Sequence, residues 1–375
     1  MTVKKLQGAG LRGQSAGETA LCTVGKSGSG LTYRGYDIKV LAEKATFEEV
    51  AYLLIYGKLP NSTELEGYKN KLSSLREIPE ALKQALELIP AKSHPMDVMR
   101  SGCSVLGNLE TELNFSEQYE KADRLVALLP SLITYWYRFS HDGVRINTNS
   151  ASDSIAGHFL TCLHDKEPSV LHEKVINASL ILYAEHEFNA STFTARVCAS
   201  TLSDIHSCVT GAIGSLRGPL HGGANEAAME MISDWSTAEQ AEVELLKKLS
   251  NKEKIMGFGH AIYRESDPRN DIIKEWSRKL SLESDNKNLF SVSERVDQIM
   301  WREKKLFPNA DFYHASAYHY MNIPTKLFTP IFVCSRVTGW IAHVIEQRVN
   351  NRIIRPSADY TGPETQNWTD IADRI

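Results

Sequence analysis

Apolar residues recur at helical spacing along almost the whole chain, and this periodicity most limits the folds open to it. The segment ATFEEVAYLLIYGKLP shows the full pattern: Thr46 and Glu49 have capping-box spacing, an apolar run follows, and Gly57 and Pro60 end it. Similar patterns predict helices over residues 62–76, 80–89, 95–107, 117–140, 150–164, 169–184, 192–214, 224–234, 237–250, 268–280, 290–303, 311–321 and 326–350.

The opening stretch TALCTVGKSGSGLTYRGYDI differs, because it alternates like a small β-hairpin around Gly and Ser. Within it, ALCTVGKS ends in the Gly-Lys-Ser of a phosphate-binding loop. Such a loop needs a helix to follow it, and here the sequence continues as GSGLTYRGYD. We therefore interpret this segment as a hairpin tip, and the whole sequence predicts an all-α protein with a small N-terminal β-hairpin.

The composition excludes several classes of protein. A chain of 375 residues with 42% hydrophobic residues can bury a large core, and its length suggests about two domains. Its net charge of -4, without a block of like charges, gives no basic surface for nucleic acid or anionic lipid. The N-terminus MTVKKLQGAG has no apolar stretch behind its lysines, and the uncharged run over residues 125–137 is too short to span a bilayer. We expect a cytoplasmic protein without nucleic-acid or membrane partners.

The cysteines and histidines do not predict a metal site. The 6 cysteines are scattered without a C-x-x-C pair, a pattern typical of reduced core thiols. His158 and Cys162 have the i, i+4 spacing of two metal ligands, as in a helical metallohydrolase, but no third ligand is evident. We interpret them as a core pair.

A first candidate acid-base residue is His221 in GPLHGGANEAAM. The glycines allow close approach of a ligand, and Asn225 is a candidate N-cap, which would place the imidazole near the positive end of the following helix. That position disfavours imidazolium, and a neutral histidine can donate a hydrogen bond to a developing enolate oxygen. On this segment alone, a histidine that binds only a loop carbonyl is the favoured alternative.

A second histidine, His260, lies in GFGHAIYRESDPRND. Asp267 and Pro268 are predicted as the N-cap and first residue of a helix, with Arg269 next, and a guanidinium at a helix start favours a carboxylate ligand. Arg264 is the other cation of this loop. An ordinary charged surface loop is the alternative interpretation.

Three further residues complete the set of candidates. Asp311 in FPNADFYHASAYHYM follows a Pro-Asn turn among aromatic residues, which can desolvate its carboxyl and suit it to act as a base. Arg336 shares a helix face with apolar residues and needs an anionic partner, either a protein carboxylate or a ligand. His186 in AEHEFNASTFTAR precedes a predicted helix start, where a core histidine is the usual outcome.

Together these segments resemble the citrate synthase family over nearly the whole chain. The resemblance rests on the ordered motifs LTYRGYDI, FEEVAYLLIYGKLP, HPMDVMRSG, EHEFNASTFTAR, GPLHGGANEAAM, GFGHAIYRESDPR, PNADFYHASAY and IIRPSADYTGP. It implies an all-α homodimer without a cofactor, whose domains close over oxaloacetate and an acyl-CoA substrate. The large domain would comprise residues 1–220 and 323–375, and the small domain residues 221–322.

The same resemblance implies a role for each candidate residue. Asp311 resembles the base that removes an α-proton from the acyl-CoA, His221 the donor that stabilises the enol, and His260 the histidine that polarises the oxaloacetate carbonyl. The expected oxaloacetate ligands are His186, Arg269, Arg336 and, from the neighbouring subunit, Arg355. Arg264 resembles a contact to the CoA phosphate.

Within the family, the tail MNIPTKLFTPIFVCSRVTGWIAHVIEQRVNNRIIRPSADYTGPE is most similar to the branch that condenses propionyl-CoA with oxaloacetate, the 2-methylcitrate synthases. We expect a side activity on acetyl-CoA, with Phe312 and Tyr313 as candidates for the acyl pocket. The alternatives are a citrate synthase that uses acetyl-CoA and a non-catalytic helical dimer that binds CoA esters. Because the hairpin lies near the N-terminus, we expect neither the N-terminal extension of NADH-inhibited hexameric citrate synthases nor regulation by NADH.

Overall fold

The described part of the chain is helical apart from one small sheet. The structure is a computed structural model that describes Leu11, residues 14–26 and residues 30–374. Within these residues the strands β1 (Cys22–Lys26), β2 (Gly30–Tyr33) and β3 (Tyr36–Asp37) pair antiparallel in the order β1-β2-β3. The predicted hairpin is confirmed with a third strand added, and a strand rather than a helix follows β1. Residues 27–29 at its tip lie outside the described residues.

Sixteen α-helices make up most of the described fold, which confirms the predicted all-α class. They are α1 (Ile38–Lys44), α2 (Phe47–Tyr56), α3 (Ser62–Ser74), α4 (Glu80–Glu87), α5 (Pro95–Leu109), α6 (Gln118–Asp142), α7 (Ile155–His164), α8 (Val170–Tyr183), α9 (Ala190–Ser200), α10 (Ile205–Leu216), α11 (Ala224–Ser233), α12 (Ala238–Ser250), α13 (Asn270–Glu283), α14 (Asn288–Lys304), α15 (Ala310–Tyr320) and α16 (Phe328–Val349).

The predicted boundaries hold where a cap defines them. At α2 the Thr46 side chain accepts the N–H of Glu49 and the Glu49 side chain accepts the N–H of Thr46, which is the predicted capping box. Gly57 ends this helix with a left-handed backbone, φ 88°. The short helix α1 was not predicted, because its seven residues carry too little periodicity to separate from the hairpin.

The single helix predicted over residues 192–214 is wrong, because the structure has two helices there, α9 and α10. Leu202 adopts a left-handed backbone with φ 65°, and the Asp204 side chain caps α10 by accepting the N–H of Ser207 at 2.9 Å. The apolar spacing continues across this break, so periodicity alone does not reveal it. The consequence is a separate helix, α9, whose first turn faces the cleft described below.

Helix α16 is the centre of the larger group of helices. It packs against α2, α5, α6, α8, α9 and α10, and nearly all of its residues are buried. The stretch Thr325–Val349 is the one part of the described chain long and apolar enough to cross a membrane. Its most apolar window is fully buried inside the fold, and the core helix of a soluble protein passes the same test of length and composition.

Five consecutive helices, α11 to α15, pack mainly on one another. The pairs α12 with α14, α13 with α15 and α11 with α15 make this group, while α11 also contacts α16 and both α13 and α15 contact α8. These helices lie within residues 221–322, for which the sequence predicts a small domain. The domain boundaries themselves stay a prediction.

The pair His158 and Cys162 lies in the core of the larger group. The ring nitrogens of His158 lie 2.8 Å from the Ser131 hydroxyl and 2.9 Å from the Ser150 hydroxyl. Burial lowers the pKa of His158 to about 3, so the ring is neutral. In the described residues, no group of three or more His, Cys, Asp or Glu side chains is placed to hold a metal ion.

Candidate active site

A cleft of about 860 Å³ lies where the first turns of α9, α11 and α15 meet the middle of α16 and the loop before α13. It gathers six of the sequence-predicted site residues, namely His186, His221, His260, Arg269, Asp311 and Arg336. A larger cavity of about 1120 Å³ lies between α5 and α10 and contains none of them. We place the candidate site in the smaller cleft because titratable groups from five separate segments converge there.

The histidine of the glycine-rich loop is held in one tautomer. Nε2 of His221 accepts the backbone N–H of Ser191 at 3.3 Å and lies 2.8 Å from the Ser191 hydroxyl. Burial and then the charge of Arg336 lower the pKa of His221 to about 4. A neutral ring whose Nε2 accepts a hydrogen bond carries its proton on Nδ1. His221 is therefore a neutral donor through Nδ1–H.

The sequence predicts that the helix capped by Asn225 places its positive N-terminal end near the His221 imidazole, and this prediction is wrong. Asn225 is not an N-cap, since α11 begins at Ala224 after Gly223 and Asn225 is buried in the first turn. The loop turns tightly because the Gly222 N–H donates to the Leu216 carbonyl at 2.9 Å, so the helix starts directly after the glycines. The helix whose N-terminal N–H reaches the imidazole is α9.

Sequence reasoning missed Ser191, which positions His221. Its hydroxyl lies 2.8 Å from the side-chain oxygen of Asn189, the N-cap of α9, as well as 2.8 Å from Nε2 of His221, and it accepts the indole N–H of Trp340 at 3.1 Å. The available signal was the Asn189 cap, which places Ser191 in the first turn, where backbone N–H groups are free to bind a ligand or side chain.

The second loop histidine has the opposite tautomer. Nδ1 of His260 accepts the N–H groups of Ile262 at 3.1 Å and Tyr263 at 3.2 Å. Burial and then the charge of Arg269 lower its pKa to about 4. The neutral ring therefore carries its proton on Nε2, and the two loop histidines present two neutral N–H donors to one cleft.

His186 is a buried histidine that also lines the cleft. Its Nε2 lies 3.0 Å from the Tyr263 hydroxyl, and its ring packs edge-on to His260 at a centroid distance of 5.1 Å. Burial lowers the pKa of His186 well below its usual value. His186 is therefore buried like a core histidine and also lies where it can contact a ligand in the cleft.

Arg269 is tied to the helix that carries Asp311. Its guanidinium donates to both oxygens of Asp267, at 2.9 and 2.7 Å, and Asp267 also accepts the N–H of Ala310 at 3.0 Å. Asp267 accepts the N–H of Arg269 as predicted for a cap, but α13 begins at Asn270, two residues later than predicted. The carboxylate therefore joins the start of α13 to the start of α15.

Asp311 stands beside a tyrosine that the sequence did not single out. The hydroxyl of Tyr183, at the end of α8, donates to Oδ1 of Asp311 at 2.6 Å. Burial raises the pKa of Asp311 above its usual value, while the Tyr183 hydrogen bond and the charge of Arg269 oppose the rise. Asp311 is half-buried, so its carboxyl is partly desolvated, as the sequence predicts.

The aromatic residues next to Asp311 in sequence do not line the cleft. Phe312 packs against Phe258 at a centroid distance of 4.5 Å, and the Tyr313 hydroxyl donates to Asp297 at 3.0 Å, so their assignment to the acyl pocket is wrong. Helical geometry turns the residues after Asp311 into the core. One aromatic pair that does line the cleft is Tyr183 and Phe332, whose rings stack at 4.1 Å.

Arg336 is buried with its charge directed to the cleft. It is 1% exposed, its Nε donates to the Tyr183 carbonyl at 2.6 Å, and its guanidinium lies 4.7 Å from the centre of the Phe332 ring. Across the described chain it has no ion pair within 4.0 Å. Of the two partners that the sequence allows, this favours a ligand.

The last two predicted residues lie outside this cleft. Arg264 is exposed on the loop between His260 and Arg269, and Arg355 is exposed in the tail that follows α16. Neither belongs to the cleft wall of its own chain. Their roles stay predictions.

Comparison with known proteins gives one consistent result. The family model described as "Citrate synthase, C-terminal domain" matches residues 10–357. The 2-methylcitrate synthase of Shewanella oneidensis is 70% identical, over 99% of this chain and 99% of its own. Citrate synthase 2 of Bacillus subtilis is 46% identical, over 92% and 93%.

A solved structure has the same fold. The ternary complex of citrate synthase from Thermoplasma acidophilum with carboxymethyl coenzyme A and oxaloacetate aligns with a TM-score of 0.91 at 31% identity, covering 97% of this chain and 98% of its own. Sequence motifs, cleft and comparisons agree, and the chain belongs to the citrate synthase family.

Proposed function

We propose that this chain is a 2-methylcitrate synthase, which condenses propionyl-CoA with oxaloacetate and hydrolyses the resulting thioester to 2-methylcitrate and CoA. The observation that carries the proposal is the 70% identity to the Shewanella oneidensis 2-methylcitrate synthase over 99% of both chains. The proposal includes a slower reaction with acetyl-CoA, no separate cofactor, and a cytoplasmic location.

The cleft supplies the groups that such a condensation needs. The α-carbon of a thioester is a weak acid, so a base must act together with a donor to the oxygen that gains charge. Asp311 is the proposed base, since desolvation raises its pKa and Tyr183 orients it. His221 is the proposed donor to the enol oxygen through Nδ1–H, and His260 polarises the oxaloacetate carbonyl through Nε2–H.

Oxaloacetate is an anion, and the cations of the cleft suit it. His186, Arg269 and Arg336 are its proposed ligands on this chain, and Arg336 supports this best because its buried guanidinium has no ion pair within the described residues. Arg264 remains the proposed contact to the CoA phosphate, where an exposed cation on a cleft loop fits a phosphate in solution.

The proposal includes a homodimer in which Arg355 acts across the interface. The tail after α16 exposes Ile353, Tyr360 and Trp368 by 66%, 79% and 82%. The cavity between α5 and α10 is bordered by exposed Leu113 and Leu202. Exposed apolar side chains of this size suit an interface, and a second copy of this chain would cover them.

The first prediction concerns the base. Asp311→Asn is expected to lower the rate of CoA release about 10²–10⁴-fold, the usual range for loss of a general base, while calorimetry shows oxaloacetate binding nearly unchanged. Asp297→Asn is the control, since this carboxylate accepts Tyr313 outside the cleft and its loss leaves CoA release intact. Near-normal turnover by Asp311→Asn would exclude Asp311 as the base.

The second prediction concerns protonation of His260. Its pKa of about 4 in the folded state lies below the value of 6.5 for a free histidine, so between these pH values the unfolded chain binds a proton that the folded chain does not. Stability therefore falls as the pH falls from 6.5 to 4. We expect the melting temperature of His260→Gln to fall less than that of the wild type when the pH is lowered from 7 to 5. Equal decreases in the two proteins would contradict a neutral His260 ring.

The third prediction concerns the acyl group. An apolar pocket that receives one more methylene gains about 1–3 kcal/mol, or about tenfold to a few hundredfold in kcat/KM. Steady-state kinetics at saturating oxaloacetate should show the higher kcat/KM with propionyl-CoA and a lower value with acetyl-CoA. Tyr183→Phe keeps the ring but removes the hydrogen bond to Asp311, so it should slow both substrates and leave their ratio unchanged.

The same assay separates the alternatives. A preference for acetyl-CoA would make this a citrate synthase, which the 46% identity to citrate synthase 2 of Bacillus subtilis keeps as the second candidate. Binding of acyl-CoA without release of CoA would indicate the non-catalytic alternative.

The fourth prediction tests the shared site. Asp311→Asn and Arg355→Ala should each be inactive alone, but when the two chains are co-expressed a mixed dimer contains one site with both wild-type residues. Random pairing should restore about a quarter of the wild-type activity. Co-expression of Asp311→Asn with Arg336→Ala is the control without recovery, because these residues line the cleft of one chain. No recovery with Arg355→Ala would place Arg355 in the site of its own chain.

A further inference from the structure

Behind the cleft, a buried chain of charged residues connects α16 with α9 and with the turn that carries His186. We call it the Glu185 chain. Nε2 of His343 bonds Oε1 of Glu185 at 2.8 Å, Nδ1 of His343 accepts from Arg196 at 2.9 Å, and Arg196 pairs with Glu346 at 2.6 Å. Glu185 and His343 are both 0% exposed. The proposed reaction uses none of these residues.

The hydrogen bonds fix the protonation of this chain. Because the Arg196 guanidinium donates to Nδ1, the neutral His343 ring carries its proton on Nε2 and donates it to Glu185. Oε2 of Glu185 is buried and has no hydrogen-bond partner within the described residues. An ionised carboxylate with one free oxygen is costly inside a protein, which calls for a compensating charge nearby.

That charge is Arg336. Arg336, Gly339 and His343 have i, i+3 and i+7 spacing, so they form one stripe along α16. The Glu185 carboxylate packs on this stripe, since a Cβ at Gly339 would overlap its Oε2. Burial lowers the pKa of Arg336, and Glu185 is the largest influence that raises it. Glu185 thus acts on Arg336 from the core side, without a direct ion pair.

His343 keeps the two charges apart. A carboxylate bound directly to the guanidinium would fill the donors of Arg336 that a substrate carboxylate needs. With Glu185 held by His343 about two turns further along α16, the charge of Arg336 is compensated while its donors stay free to bind an anion.

We propose that Glu185, held in place by His343, is a positioning residue that balances the charge of Arg336 in the empty cleft and thereby weakens and tunes the binding of oxaloacetate. This inference rests on the proposed role of Arg336 as an oxaloacetate ligand. It predicts opposite effects for loss of the carboxylate charge and for loss of the histidine that holds it.

Glu185→Gln tests the charge, because glutamine keeps the shape and the oxygen that accepts from His343. In calorimetry with oxaloacetate alone, the Kd should fall about threefold to tenfold, since a fixed negative charge near an anion site is removed. The melting temperature without ligand should also fall, and oxaloacetate should raise it by more than in the wild type.

Glu48→Gln is the matched control. Glu48 is 1% exposed, its Oε1 accepts the N–H of Ile155 at 2.7 Å, and its Oε2 likewise has no partner in the described residues, but it lies on α2 and does not line the cleft. Its loss should lower the melting temperature and leave the Kd for oxaloacetate unchanged. A purely structural role for Glu185 predicts the same result for Glu185→Gln.

His343→Leu tests the positioning, and decides the question if Glu185→Gln does not fold. Without its hydrogen bond, the Glu185 carboxylate should turn to Arg336 and compete with the substrate, so the Kd should rise at least about threefold. His343→Gln keeps a donor and an acceptor and should bind as the wild type does. An unchanged or higher Kd for Glu185→Gln, or equal values for His343→Leu and His343→Gln, would overturn the proposal. Failure of the wild type to bind oxaloacetate would instead overturn the proposed function.

Discussion

The hydrogen bond from Nε of Arg336 to the carbonyl of Tyr183 is the contact on which the site depends most. At 2.6 Å it joins the middle of α16 to the end of α8, where the backbone carbonyls of a helix lack partners inside the helix. The backbone carbonyl of Tyr183 thus holds the guanidinium of Arg336. The hydroxyl of the same tyrosine donates to Asp311 at 2.6 Å. One buried arginine therefore links the proposed anion site to the residue that contacts the proposed base.

Asp267 makes a second link of the same kind. It accepts two hydrogen bonds from the Arg269 guanidinium and also accepts the N–H of Ala310, the residue before Asp311. The start of α13, which brings a cation, and the start of α15, which brings the carboxylate, are thus held by one buried acid. Cation and base come from segments about forty residues apart in the chain, and neither position depends on a loop alone.

The sequence predicts the architecture and most of the cleft, and what it misses has a common physical cause. His221, His260 and Asp311 stand in motifs with glycines, turns or helix starts, which local chemistry can interpret. Tyr183 and Ser191 act through contacts between distant segments. Tyr183 lies at the end of an apolar helix and looks like any core residue, and only the packing of α8 against α16 and α15 shows what its hydroxyl meets.

The same limit explains the errors at individual positions. The sequence offers Phe312 and Tyr313 for the acyl pocket because they follow Asp311. Neighbours along a helix point in different directions, however, and both residues are buried away from the cleft. The helix field at His221 comes from α9 rather than α11, because the loop folds back onto an element that is near in space and about thirty residues earlier in sequence. Sequence patterns define an element and its ends, whereas the partner that each end meets is decided by tertiary packing.

Burial shifts the pKa values of the titrating residues of the cleft in opposite directions, and both shifts favour the neutral form. It lowers the pKa of His221 and His260 to about 4 and raises the pKa of Asp311, and in each case the neutral form is favoured. The proposed reaction requires neutral imidazoles as donors but an ionised carboxylate as base. The Tyr183 hydrogen bond and the charge of Arg269 oppose the rise at Asp311. The histidines need only desolvation, whereas the carboxylate needs partners that restore its charge, and this is why Asp311 has a donor and a nearby cation while the loop histidines accept only from neutral groups.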